Sequence, residues 1–416
     1  MQSRLFVMGA AVLLAQLLPM HAHAAGQSNL PLTLEQAISL TLSANPALRS
    51  AIQGIAIAEG ARQQAALSPN PELSVLREGR SSLNSTETIQ LSQVLEIGGK
   101  RGARVQLADQ ERLLAASDAS IVRAALRADV TAAYLDALTA QEHMALATES
   151  LNLAGKASNA ASRRVAAGKI SPLEQIRSKM AEAGARLELS QAISDASLAR
   201  RRLAAFWGAD APLEQPLLTP EASLVDIPTL AALQTRLDTS PQMQRARMQI
   251  QREEAQLGLA KAERTPDLTL TLGSKKDQQS NLSQAVFGLS IPLPLFDRNQ
   301  GNLLSAQRRI DKAKADAESE YLQASQALAQ AHQRATLAQE QVDAMRKEIL
   351  PAAQSAFDAA VTGFELGKFG FIDVLDAQRT LFQSRAQYLS ALAARYRALA
   401  ELERFVAIEP TDRKIK

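Results

Sequence analysis

Asp373 and Asp376 stand three residues apart, a spacing that places both carboxylates on one face of a helix. Such a pair can draw a cation, and it also suits a helix start, where Asp meets the positive end of the peptide dipole. Gly98-Gly99-Lys100-Arg101-Gly102 has the backbone freedom and the charge of a phosphate nest. No P-loop spacing surrounds it, so it reads as a bend between a strand and a helix. Arg200-Arg201-Arg202 before Phe206-Trp207 reads as the basic end of a helix. The chain has no Cys, and past the first thirty residues its only histidines are His143 and His332. Neither has a His or Cys partner nearby, so no high-affinity transition-metal site is expected. No nucleophile elbow, zinc motif or paired catalytic group stands out. The expectation is a chain that is not an enzyme and has no catalytic residues, resident metal or cofactor.

The elements that must carry these residues occur twice. Asn45-Pro46 returns as Ser240-Pro241, and Asn70-Pro71-Glu72-Leu73 as Thr265-Pro266-Asp267-Leu268. Leu91-Ser92 returns as Leu289-Ser290, and Gly168-Lys169 as Gly367-Lys368. Each match falls about 195 residues later or slightly more, in one order, as a duplication with small insertions would leave it. Each unit opens with a short helix, Leu34 to Leu42 and Leu230 to Leu237. A second helix follows, Ala47 to Leu67 and Met243 to Ala262, with Pro in its first turn.

Period-two alternation then marks two strands per unit. Leu73 and Val75 precede Ile89, Leu91, Gln93 and Leu95. Leu268, Leu270 and Leu272 precede Phe287, Leu289 and Ile291. Polar segments, Glu78 to Thr86 and Gly273 to Gln284, are expected as the joining loops.

Long heptad helices follow, Lys100 to Ala166 and about Arg298 to Leu366. The first is expected to bury two rows, Leu126-Ala133-Ala140-Ala147-Ala154-Ala161 and Val130-Ala137-Met144-Leu151-Ser158-Val165. The second is expected to bury Leu328-Ala335-Val342-Ile349-Ala356-Gly363 beside Ala331-Ala338-Met345-Ala352-Ala359-Leu366. About 67 residues at ~1.5 Å each gives a helix of about 100 Å. Pro351 should kink the second. Tight turns at Gly168-Lys169 and Gly367-Lys368 end both, and antiparallel helices return. Leu173, Ile176, Met180, Ala183 and Leu187 are the expected inward row of one return helix. Ile372, Leu375, Phe382, Ala386 and Leu389 are that of the other.

Composition sets the compartment. Arg4, the apolar run Leu5 to Leu18 and Ala22-His23-Ala24 read as a secretory signal peptide over residues 1–24. The units then span 25–215 and 216–416. Without Cys, a lipid-attached N-terminus is not expected. Basic and acidic residues nearly balance, 46 against 43, so nucleic acid is not expected as a partner. Past the signal no apolar run reaches ~18 residues, so any membrane contact is made by strands or surface.

Four amphipathic strands cannot close a barrel, and open edges cannot stand in lipid. If the strands are membranous, several protomers share one barrel: a dimer gives eight strands, a trimer twelve. Period alone does not choose.

Duplicated units, two hairpins, two very long helices and two return helices resemble the TolC family of outer-membrane efflux proteins. Leu91-Ser92-Gln93-Val94-Leu95-Glu96-Ile97-Gly98-Gly99-Lys100-Arg101 and Leu289-Ser290-Ile291-Pro292-Leu293-Pro294-Leu295-Phe296-Asp297 are similar to its strand-to-helix junctions. Asp373-Val374-Leu375-Asp376-Ala377 resembles its periplasmic mouth, and Glu96 to Arg101 looks most like its cation-efflux, Czc-type branch.

The resemblance implies a mostly α fold with a small β part, a long-helix α-barrel continuous with a shared outer-membrane β-barrel. It implies a homotrimer in outer-membrane lipid, a periplasmic adaptor and an inner-membrane pump of the RND type. The cargo implied is heavy-metal cations. Asp373 and Asp376 would ring the closed mouth, against Glu174 and Arg177 in the first unit. Gly168, Lys169, Gly367 and Lys368 would meet the adaptor. Two rivals remain: the same duct carrying drugs or secreted protein, and a soluble periplasmic coiled-coil scaffold without a pore.

Overall fold

The computed structural model describes residues 30–79, 85–210, 213–219, 227–366 and 368–405. The expected signal peptide and Gly367 lie outside the described residues. Helices α1 (Leu34–Ala44) and α2 (Pro46–Ala65) lead into strands β1 (Glu72–Glu78) and β2 (Thr86–Leu95). Helices α3 (Lys100–Ala166) and α4 (Pro172–Ala205) follow. The same kinds of element then recur: α5 (Leu230–Leu237), α6 (Pro241–Ala262), β3 (Leu268–Asp277), β4 (Leu282–Ser290), α7 (Gln300–Ala344), α8 (Leu350–Glu365) and α9 (Phe371–Phe405).

Local chemistry sets the helix starts. Asn45, Ser171 and Ser240 each cap a helix with a side-chain oxygen, and Pro46, Pro172 and Pro241 follow at the first helical position. There the missing proline N–H has no intrahelical partner to lose. Thr33 and Gln36 close a reciprocal capping box on α1.

The strands form one antiparallel sheet in the order β1-β2-β3-β4, and β2 paired to β3 welds the two hairpins together. The loop expected from Gly273 to Gln284 is much shorter. β3 runs on to Asp277, with Ser274, Lys275 and Lys276 opposite Ile89, Thr88 and Glu87. Those residues lack apolar alternation because they lie at the polar end of the sheet, so their pattern resembled a loop.

Beneath the sheet, α2 and α6 pack on α3, and α6 also on α7. Farther down, α4 packs on α3, α3 on α9, and α9 on α7 and α8. Val130, Ala137, Ala147, Ala154, Ser158 and Ala161 are buried along α3, members of both expected rows.

α4 departs from expectation. Its buried row is Ser178, Ala185, Ala192, Ala196 and Leu203. The apolar residues expected to face inward are open: Leu173, Ile176, Met180 at 70% and Leu187 at 74%. Small side chains let α4 approach α3 closely, which displaces the larger row to the free side.

The second long helix also departs. A π turn, Met345–Ile349, interrupts it, and the Leu350 N–H reaches the Met345 carbonyl five residues back. Pro351 has no N–H, and the wider turn absorbs that loss one residue ahead of it. The extra residue rotates the seam. Leu328, Ala331, Ala335, Ala338 and Val342 are buried as expected, but beyond the turn Ala353 and Ala360 are buried in place of Ala352 and Ala359. Ile349 and Ala356 are exposed.

A clasp at mid-height ties the chain ends of the first run. Leu32 and Leu217 form a parallel bridge beside α3. The buried Tyr134 hydroxyl lies 2.7 Å from the Leu32 and Leu218 carbonyls. The Gln141 side chain donates to the Leu217 carbonyl and accepts from its N–H.

Candidate functional site

The sheet has two unlike faces. Register partners share a face, so Leu73, Leu91, Leu272 and Phe287 form one apolar row across all four strands. Val75 with Ile89, Leu270 with Leu289, and Leu95 with Leu268 extend that face. All of these side chains but the half-buried Leu268 stand open, Phe287 at 80%. Beyond them on the same face comes a polar row, Arg77-Glu87-Lys276-Ser283.

The other face is mostly polar. It carries Ser74, Gln90, Ser92, Thr88 and Thr271, interrupted by Leu76, Val94, Val286 and Leu282. Ser92 and Thr271 share a hydroxyl hydrogen bond of 3.0 Å. Glu72, Glu78 and Asp277 also lie on this face, against Lys275. Two glycines sit here for a steric reason. A Cβ on Gly273 would lie 2.5 Å from the Ile89 carbonyl oxygen, and one on Gly288 would lie 3.2 Å from Thr271 Cβ. β1 and β4 each have only one neighbour in this sheet.

At the base of the sheet the Gly98-Gly99 bend turns β2 into α3, both glycines at positive φ. A Cβ on Gly98 would meet Thr265 Cβ at 2.5 Å. Lys100 Nζ pairs with Asp267 at 2.8 Å, and Arg104 pairs with Glu96. The Arg104 hydrogen bond holds the Glu96 carboxyl below its ordinary range, against the opposing effect of burial. The bend therefore clamps a junction, and of its two cations Lys100 is spent on a carboxylate rather than left for a phosphate.

The far ends of the long helices form the second part of the site. Gly168, at φ +69°, closes α3: Lys169 N donates to the Arg164 carbonyl at 2.8 Å, and Gly168 N to the Val165 carbonyl at 2.9 Å. Lys368 N donates to the Gly363 carbonyl at 2.8 Å, the same six-residue closure on α8. Lys169 and Lys368 are both exposed. Asp373 Oδ2 accepts the Gly370 N–H at 2.8 Å, so this carboxylate caps α9. Asp376, one turn on, is exposed and has no side-chain hydrogen bond or ion pair among the described residues.

Three tip contacts escaped the sequence reading. The Arg164 guanidinium stacks over the Phe364 ring at 4.1 Å, joining the ends of α3 and α8. Gly363 is buried under Phe369, and a Cβ there would lie 2.1 Å from Phe369 Cδ2. Gln175 donates to Ser162 Oγ at 3.0 Å across the first tip. A glycine inside a heptad seam was the available signal for Gly363. Nothing in the pattern named its ring partner. Among the described residues no group of three His, Cys, Asp or Glu could hold a metal ion, and no helix is long and apolar enough to cross a membrane.

Residues 37–209 and 232–407 match the family described as "Outer membrane efflux protein". The chain is 40% identical to the cobalt-zinc-cadmium resistance protein CzcC of Cupriavidus metallidurans, covering 90% of each chain. It is 28% identical to the nickel-cobalt-cadmium resistance protein NccC of Alcaligenes xylosoxydans xylosoxydans, over 70% of this chain and 66% of that one. In fold it is similar to the open-state MtrE outer membrane channel of Neisseria gonorrhoeae. That likeness has a TM-score of 0.74 at 23% identity over 89% of this chain and 88% of the other.

Proposed function

The chain belongs to the outer membrane efflux protein family, and from that premise we propose that it is the passive outer-membrane duct of a tripartite system exporting heavy-metal cations. The observation that carries the duct is the apolar row Leu73-Leu91-Leu272-Phe287, which crosses a sheet with two open edges. A solvated scaffold has no use for such a face, and lipid does. The edges close by pairing β1 of one copy with β4 of the next; three copies give twelve strands around the polar face. The open side of α4, with Leu173, Ile176, Met180 and Leu187, becomes the seam between copies.

The helices, about 100 Å long, extend the duct through the periplasm. The polar face and the exposed Asp376 supply carboxylates along the path, which favour cations without binding them tightly. Asp376, repeated by symmetry, forms the ring at the mouth, and Asp373 keeps its helix start in place. Gly168, Lys169, Gly367 and Lys368 mark the adaptor's contact, and a pump in the inner membrane supplies the energy. The duplication is divided at 215/216, and the chain performs no catalysis.

The cargo reading draws support from the 40% identity to a protein named for cobalt, zinc and cadmium resistance. Deleting the gene should lower tolerance to those three metals. Unchanged metal tolerance with raised drug sensitivity overturns the cargo. Recovery of the protein only in the soluble periplasm overturns the duct.

A further inference from the structure

Where the chain leaves β4, six residues line one open groove: Arg264, Leu295, Phe296, Arg298, Gln300 and Leu303. Its apolar wall is unusually open, with Leu295 at 64% and Phe296 at 91%. Leu289, Ile291, Leu293 and Leu295 keep one alternation from the apolar sheet face down to this groove, with Pro292 and Pro294 between them.

The groove's polar groups are unequally committed. Gln300 accepts from the Arg298 N–H at 2.8 Å and donates to the Phe296 carbonyl at 3.3 Å. Asp297 accepts from the Asn299 N–H at 2.9 Å, and Glu263 from the Asn299 side chain at 3.4 Å. The guanidinium groups have donors to spare. Arg298 reaches only the Leu295 carbonyl, at 3.5 Å, and the Arg264 side chain has no partner among the described residues. At the matching junction of the first half, Lys100 is taken by Asp267 and Arg104 by Glu96, leaving only Arg101.

Two open guanidinium groups beside an apolar wall, at the edge of a lipid-side face, match one chemistry. We propose that this groove seats a phospholipid of the membrane leaflet on the helix side. Its phosphate lies against Arg264 and Arg298, and an acyl chain lies along Leu295, Phe296 and Leu303. Guanidinium binds phosphate through paired charge-assisted hydrogen bonds, and the apolar wall distinguishes a lipid from a free anion. The proposal rests on the reading of the sheet's apolar face as lipid-facing.

The full-length protein, reconstituted in nanodiscs of phosphatidylcholine with phosphatidylglycerol, tests it by native mass spectrometry of retained lipid. The wild type should keep phosphatidylglycerol through delipidation. The double variant Arg264→Gln/Arg298→Gln should keep roughly tenfold less, and Phe296→Ser several-fold less, while inorganic phosphate does not compete. Equal retention by the variants overturns the proposal, as does displacement by inorganic phosphate. Because the chain has no Cys, Phe296→Cys is a single reporter. Its cross-linking to a second copy would mean that a neighbour covers the groove, and would also overturn it. Failure of the wild type itself to enter nanodiscs would overturn the lipid-facing reading along with this one.

Discussion

Leu91 of β2 and Leu272 of β3 are register partners, and their pairing turns two hairpins into one sheet with an unbroken apolar row. The neighbouring pair, Gln90 opposite Gly273, points to the other face. A one-residue slip between the hairpins would put polar side chains in the row, so a lipid-facing reading depends on this register.

Leu272→Arg should therefore cost assembly where Gln90→Arg does not. A cation at mid-depth on a lipid face costs about 2–4 kcal/mol, and one facing the lumen far less. Heat-modifiability of the folded protein from outer-membrane fractions reads the difference. Equal loss in both variants would place lipid on neither face.

Gly363→Ala should loosen the second tip. The added methyl meets the Phe369 ring, and overpacking of this kind costs about 1–3 kcal/mol. Limited proteolysis between residues 366 and 371 should speed up. Combining the change with Phe369→Ala should restore resistance, since the clash then has no partner.

Tyr134→Phe should weaken the mid-height clasp. The Leu218 carbonyl loses its tyrosine donor, a loss of about 1–3 kcal/mol for a buried group. The variant also changes the alkaline limb. Burial pushes the Tyr134 hydroxyl up to about 12, so the folded protein resists its ionisation. Stability from this group is complete below the unfolded value of about 10 and falls as pH rises toward 12. Melting temperatures of the two proteins should converge over that interval; a constant gap would mean that the hydroxyl does not titrate this way.

Glu96→Gln should act at the opposite end of the pH scale. Arg104 keeps this carboxyl ionised, so the stability it lends is present above its ordinary range and lost as pH falls through the depressed value. The wild type should lose more stability than the variant between neutral and strongly acid pH, by chemical denaturation of reconstituted protein. Parallel curves would remove the pair from the junction's stability.

Asp376→Asn should reduce the cation preference of single channels in planar bilayers, and Asp373→Asn should instead destabilise the start of α9. The geometry separates the two: one carboxylate is open, and the other accepts a backbone N–H at 2.8 Å. Equal effects on selectivity would remove that separation.

The element types, their order, the capped helix starts and the strand faces were legible in the residues, because caps, prolines and periods of two and seven act over a few residues. Pairings between distant segments were not. The Tyr134 clasp joins residues 32, 134 and 218, and no local pattern carries that contact. On α4 both a small row and an apolar row have helical spacing, and only the approach of α3 decided that Ser178, Ala185 and Ala192 face inward. Beyond the π turn ahead of Pro351, Ala353 and Ala360 take the buried places of Ala352 and Ala359 while Gly363 keeps its own, a change that the heptad could not contain.

By itself, then, the sequence determined a chain with two hairpins on two long helical legs, with an acid at Asp376 in one tip where the other has Arg177. Tertiary structure alone decided that β2 meets β3, which α4 row is left open, and that Phe369 covers Gly363. The physical reason is range. A period tells a residue which way to face, while the neighbour it meets is fixed by close packing of segments far apart in the chain.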